Sequence, residues 1–307
     1  MRERGHREIG RAEGKAARKR GARAVVLGAA LDRVLSTCDV PARRAVDPVG
    51  VVHRYADARD QELVALLAAS IAFGNVKTIR SKLDEALQRL GPRPSVVADD
   101  ELLVFARMHG WSHRVFLGED VARLVIGARR VQRVSGSLGA RFEEELVKAS
   151  GLRPALAAFC HAIRSAGGLP SPKTRPAPVR RGPSHILADP LGGGASKRLM
   201  LFLRWMIRPA DGVDLGLWNV SPAVLLCPVD THIHKIARNL GFTRRKDVSW
   251  ETAEEVTAGL RRFDPADPVK YDFSLCHLGM LQRCPSRKDA RRCEGCGIQS
   301  VCRHWAK

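Results

Sequence analysis

The sequence is short of acid. It holds 32 Asp and Glu against 52 Lys and Arg, a formal net charge of +20. Such an imbalance disfavours cationic partners and points to a polyanion, nucleic acid above all. A GC-rich genome would favour Arg over Lys, but it does not account for the excess of base over acid. Aromatic residues are also scarce: 2 Tyr and 9 Phe in 307 residues leave the interior to be built from Leu, Val and Ala. No apolar run approaches the roughly 20 residues a spanning helix needs, which excludes a transmembrane helix, and no membrane partner is expected. The first residues have no apolar core of the kind a secretory signal carries, and Glu3, Glu8 and Glu13, with no serine nearby, argue against a mitochondrial leader. No stretch alternates apolar and polar with period two, and no internal repeat is found. With 45% hydrophobic residues a sizeable core is available, and it must be helical: the fold class is all-α.

What is present divides into three parts. Residues 1–24 are a basic arm with almost nothing apolar, expected to be disordered. Residues 25–283 form the helical body. Helices are expected over Val25–Leu35, from an Asp60 cap through Ile71, over Val76–Leu90 after a break at Gly74-Asn75, and over Glu101–Arg107, Gly118–Val134, Leu138–Lys148 and Pro154–Ala166. Residues 167–183, rich in Pro, Gly and Arg, read as an extended loop. Four more helices follow: one capped by Ser196, one started by Asp230 with Ile233, Ile236, Ala237 and Leu240 inward, one opened by Ser249, and one opened by Asp267-Pro268 and running towards Met280. Residues 284–307 are a cysteine loop and the C-terminus.

Cys284, Cys293, Cys296 and Cys302 stand in the pattern C-x8-C-x2-C-x5-C. Four thiolates so close suit a zinc ion or an iron–sulfur cube. Zinc modules usually pair two C-x2-C knuckles, and the single knuckle here favours iron and sulfur, with zinc the alternative. Cys38, Cys160 and Cys227 sit among apolar residues and read as small core residues, and Cys276 stays outside the cluster. Upstream, Gly192-Gly193-Gly194-Ala195-Ser196-Lys197 is a glycine turn at a helix start, where backbone N–H groups approach a phosphate closely. Lys197 in that first turn lies at the positive end of the helix dipole, which is expected to make its amine easier to deprotonate. Asp230 at a helix start should be held ionised.

The cysteine order, a lone Cys, a knuckle and a lone Cys, resembles the C-terminal iron–sulfur loop of the endonuclease III family of DNA glycosylases, in which the first gap is shorter. Val229-Asp230-Thr231-His232 resembles the aspartate motif of the helix-hairpin-helix, Gly-Pro-Asp superfamily, and the glycine turn stands where that superfamily has its hairpin. The 33-residue step from Lys197 to Asp230, with Arg198, Phe202 and Arg204 after the lysine, is similar to the archaeal 8-oxoguanine glycosylase branch. Residues 48–283 as a whole look like a bacterial family of this superfamily, marked by Leu201-Phe202-Leu203-Arg204-Trp205-Met206 and Asp211 to Trp218.

The resemblance implies a fold of two helical subdomains closed by a [4Fe-4S] loop. It implies a monomer acting on double-stranded DNA in a bacterial cytoplasm, at the nucleoid. The activity implied is excision of an oxidised purine such as 8-oxoguanine, with strand cleavage. Lys197 is the implied nucleophile and Asp230 its assistant, while Gly192, Gly193, Gly194, Ser196, Arg287, Lys288 and Arg291 contact DNA. The alternative is a non-catalytic helix-hairpin-helix iron–sulfur DNA binder. A flipped base needs aromatic stacking. Of Trp111, Trp205 and Trp218, the last, between lysine and aspartate, is the expected base-pocket residue. Trp205 reads as core and Asn75 as a turn residue.

Overall fold

A computed structural model describes residues 21–170 and 180–305. Most of the basic arm and of the Pro/Arg-rich loop lies outside the described residues. The described chain is mostly helical, as expected, with one two-stranded hairpin besides. Helix α1 (residues 21–36) already includes residues 21–24, inside the segment read as disordered. Then come α2 (Val40–Val46), α3 (Val49–Val52), α4 (Ala58–Ile71), α5 (Val76–Leu90), α6 (Pro94–Val97) and α7 (Glu101–Met108). The hairpin, β1 (Ser112–His113) and β2 (Phe116–Leu117), is antiparallel with His113 opposite Phe116. Helices α8 (Gly118–Ser135), α9 (Leu138–Lys148), α10 (Leu152–Gly167) and α11 (Gly182–Ile186) lead to α12 (Lys197–Ile207), α13 (Thr231–Leu240), α14 (Trp250–Arg261), α15 (Asp272–Leu281) and α16 (Ala290–Cys293).

Helix α4 is the axis of the body. Leu63, Val64, Leu66, Leu67, Ala68 and Ile71 are all buried, so it is apolar on nearly every side and packs against α3, α8 and α12. Replacing Leu67 by Ala would leave a cavity costing about 2–5 kcal/mol. The cap of α4 is Asp57, whose carboxylate accepts from Arg59 N at 2.9 Å, and not Asp60. Asp60 lies inside the first turn, buried, and accepts from Ser95 N at 2.7 Å, because α6 packs over it. Asn75 is the cap of α5, accepting from Lys77 N and Thr78 N. A second correction concerns α15, which begins at Asp272 and not at Asp267-Pro268. The Asp264 carboxylate takes the N–H groups of Ala266 and Asp267, and that local turn competes with helix. The loop expected over 167–183 is also shorter at both ends, since Gly167 closes α10 and Gly182 opens α11.

Trp218 is core. It is 6% exposed and lies among Phe142, Phe159 and Phe202, with ring centroids 5.2–6.1 Å away. Its indole N–H donates to Glu62 Oε1 at 2.7 Å. Glu62 is itself buried and also accepts from Leu138 N and Gly139 N, closing the start of α9. A buried carboxylate needs such donors, so the tryptophan is held by the core and not offered to a ligand. Trp111 is likewise buried, its indole donating to Lys82 O at 3.1 Å. Among the described residues no helix is long and apolar enough to cross a membrane.

Candidate functional site

Lys197 and Asp230 meet. The Lys197 Nζ to Asp230 Oδ2 distance is 3.2 Å, although the two residues belong to different helices. Asp230 reaches this place as the cap of α13: Oδ1 accepts from His232 N and Ile233 N, both at 2.9 Å, which leaves Oδ2 for the lysine. Burial by itself would raise the Asp230 carboxyl, but the Lys197 ammonium and the Ile233 N–H outweigh it and hold the group below the usual carboxylate range. Burial by itself would lower the Lys197 amine, yet the Asp230 carboxylate outweighs it and the amine is held above its ordinary value. The expectation that the helix dipole leaves this amine easy to deprotonate is therefore corrected: a carboxylate in contact with the ammonium overrides a partial charge at a helix end.

Lys197 stands where two cavities of about 530 Å³ and 500 Å³ adjoin. The first is a groove along the glycine turn, lined by Gly192, Gly194, Ser196 and, across from them, Ser70 and His185. Gly192, Gly193 and Gly194 are exposed, and a side chain on any of them would meet open space. Gly193 is there for its backbone, with φ +88° closing the short turn Pro190–Gly192. The turn is pinned to the start of α14 by Ala195 N to Val248 O and Trp250 N to Gly193 O, both 3.3 Å. Ser196 precedes α12 as expected but caps nothing: it is left-handed, φ +48°, and its side chain makes no capping bond. The first N–H groups of α12 are thus left without an intrahelical or side-chain partner, at the edge of the groove.

The second cavity holds the acid. Asp230, Asp272, Asp47 and Cys276 line it together with Phe73, Trp205 and Phe273. Trp205 thus fills the core, as expected, while also contributing to a cavity wall. Cys276 Sγ lies 3.8 Å from Asp230 Oδ2, and burial, then Asp230 and Asp272, push its thiol well up. The sequence pattern keeps Cys276 apart from the metal cysteines and gives it no other place. Asp272 is buried and paired with Arg204 Nη1 at 2.9 Å. Arg204 bonds Asp214 as well, and Arg208 ties Asp214, Asp211 and Asp267, so alternating charges run along the face of α12 below Lys197. The 3.6-residue period shows that Lys197, Arg204 and Arg208 share a face, but nothing local says which carboxylates meet it. Arg198 points elsewhere, its guanidinium bound to the carbonyls of Ser70 and His185, where it braces α12 against α4 and α11.

Cys284, Cys293, Cys296 and Cys302 line one small cavity beside Asn239 and Trp305, and all four are free thiols. Among the described residues, no three or more His, Cys, Asp or Glu side chains are gathered closely enough to hold a metal ion. The thiols do sense one another: burial raises Cys284, and the charges of Cys296, Cys302 and Cys293 add to it. By its chemistry alone, a set of four cysteines lining one pocket is a donor set of the kind iron–sulfur or zinc takes. Cys276 lines the other cavity and stays outside this set, as expected. Arg287, Lys288 and Arg291 are exposed between Cys284 and Cys293, with the Lys288 ammonium 4.2 Å from the Trp305 ring centre.

Among comparisons with known proteins, the sequence model of one family, described as a protein of unknown function (DUF2400), matches residues 47–281. No curated protein and no solved structure matches the chain. The matched span takes in the whole lining of the acid cavity, from Asp47 to Met280, and ends before Cys284.

Proposed function

The chain belongs to the DUF2400 family, and we propose that it is a DNA base-excision glycosylase with associated lyase activity. In this reading it removes an oxidised purine such as 8-oxoguanine through a Schiff base on Lys197. The observation that carries the reading is the contact of Lys197 Nζ with Asp230 Oδ2 at the junction of a glycine-turn groove and a cavity of about 500 Å³. That volume lies within the range of small-ligand sites, and Phe73, Trp205 and Phe273 give it the aromatic walls a flipped base needs. The groove supplies free N–H groups for a phosphate, and the net charge of +20 supplies the pull on the duplex.

The chemistry follows from the pair. Lys197 rests protonated, so Asp230 Oδ2, in contact with it, first takes the proton. The neutral amine then forms a C–N bond to the anomeric carbon of the deoxyribose, while the bond to the base breaks and the base leaves with the electron pair and takes up a proton. Ring opening gives an iminium; loss of a proton from the adjacent carbon breaks the C–O bond to the 3′ phosphate, and hydrolysis frees the lysine. The four cysteines would hold a [4Fe-4S] cluster, or zinc in the alternative, with a structural role in presenting Arg287, Lys288 and Arg291 to the DNA backbone.

A duplex bearing 8-oxoguanine, incubated with protein and borohydride, tests this. A covalent adduct should form with the wild type and vanish in Lys197→Gln. An adduct that persists in the variant removes Lys197 from the role. A second reading, a DNA binder without catalysis, is favoured by the same ion pair, since an ammonium held by a carboxylate is not a nucleophile. Tight binding to abasic DNA with no adduct on any lesion would select it.

A further inference from the structure

Helix α13 joins the two candidate sites. Ten residues rise about 15 Å, which separates its two ends by the width of a few side chains. Asp230 caps its start in the acid cavity. In its last turn Asn239 Nδ2 lies 3.5 Å from Cys284 Sγ, and the Asn239 carbonyl accepts from Arg303 N at 2.8 Å. Helix and cysteine loop are therefore tied by one residue in two ways.

The four cysteines are not equivalent in their surroundings. Among the described residues, the one hydrogen-bond donor within reach of any of the four sulfurs is Asn239 Nδ2, at Cys284. Cys284 opens the loop three residues after α15, and its neighbour on the chain side is the Pro285 carbonyl at 4.0 Å, an acceptor that a thiolate repels. The donor it has is a side chain, the amide of Asn239. A metal-bound thiolate only accepts, so the amide must present its N–H and not its oxygen.

We propose that Asn239 is the outer hydrogen-bond donor of the cysteine site, holding Cys284 in the ligand set and drawing charge from its sulfur. The inference rests on the reading of the four cysteines as a metal site, and it extends that reading to a residue outside the cysteine pattern. Donors of this kind orient ligands and, in iron–sulfur proteins, favour the more negative, reduced state of the cluster.

Iron and acid-labile sulfide are measured first on wild-type protein purified without oxygen. Their absence, with zinc in their place, overturns the iron–sulfur reading alone, because Asn239 is tested on whichever metal is found; protein that holds neither metal overturns the proposal together with the metal reading. Wild type and Asn239→Leu, which has similar bulk and no donor, are then challenged with a chelator. The variant should release its metal about 10-fold faster or more, and where the metal is iron its reduction potential should move to more negative values. Release at the wild-type rate overturns the proposal. If circular dichroism shows that Asn239→Leu has lost helix, Asn239→Asp decides, being the same size. It replaces the donor with a carboxylate and should release metal faster still, and wild-type retention by it overturns the proposal equally.

Discussion

Substituting Lys197 by Met tests whether the ion pair at the centre of the site holds as drawn. The methionine keeps the length and apolar body of the lysine and removes only its charge. Asp230 would stay mostly buried, with its two backbone donors and without its cation. Removing one partner of a fully buried pair costs about 3–5 kcal/mol, whereas an exposed pair is worth about 0–1 kcal/mol. The Lys197 side chain is 35% exposed and that of Asp230 16%, so solvent screening must be discounted. An intermediate loss of about 1–2 kcal/mol at neutral pH is expected, read by urea denaturation. In a chain this size that amounts to about 1.5 °C in Tm per kcal/mol.

The pH dependence sharpens the test. Asp230 is held below its ordinary value, so its share of the stability is complete above the unfolded carboxylate pKa of about 3.9 and is lost as pH falls through its lower folded value. Lys197 is held above its ordinary value, so its share is complete below about pH 10.4 and fades only as pH rises through the folded value. The difference between wild type and Lys197→Met should therefore be flat from about pH 5 to 10 and shrink below about pH 4. Equal stability at pH 7, or a difference that persists unchanged into acid, would refute the pairing.

Other outcomes follow from the same geometry. Trp218→Phe keeps the aromatic packing and removes one donor from buried Glu62; it should cost about 1–3 kcal/mol in denaturant while leaving adduct formation intact, and a missing adduct at unchanged stability would return Trp218 to the pocket. Arg204→Met leaves Asp214 and Asp272 buried without their shared cation and should destabilise by about 3–5 kcal/mol, measured by thermal melts; an unchanged melting temperature would show that those charges are not paired. Ala in place of Arg287, Lys288 or Arg291 should reduce the slope of log affinity against log salt for duplex DNA by about 1 for each phosphate no longer neutralised. An unchanged slope would take that residue off the DNA face.

Much of the helix set was legible because its signals lie within a turn or two of each other. The caps at Asp230 and Ser249 and the inward stripe of α13 were read from neighbours in sequence. The errors came where a distant partner decided. Asp60 has the chemistry of a cap, but α6 packs over it and Asp57 takes the role. Asp267-Pro268 looks like a helix start, but Asp264 captures its backbone. Trp218 sits between lysine and aspartate in sequence, yet Glu62, far upstream, draws it into the core.

The amino-acid order by itself fixed the all-α class, the excess of positive charge, the cysteine spacing and the placing of Lys197 and Asp230 at two helix starts. Each is a property of composition or of residues a few positions apart. Tertiary structure alone decided that Lys197 and Asp230 touch, that Asp272 and Cys276 share their cavity, and that Asn239 reaches Cys284. It also reversed the expected state of the lysine. A helix dipole can be read from one helix, but the carboxylate that overrides it comes from another, and its distance is set by how the two helices pack.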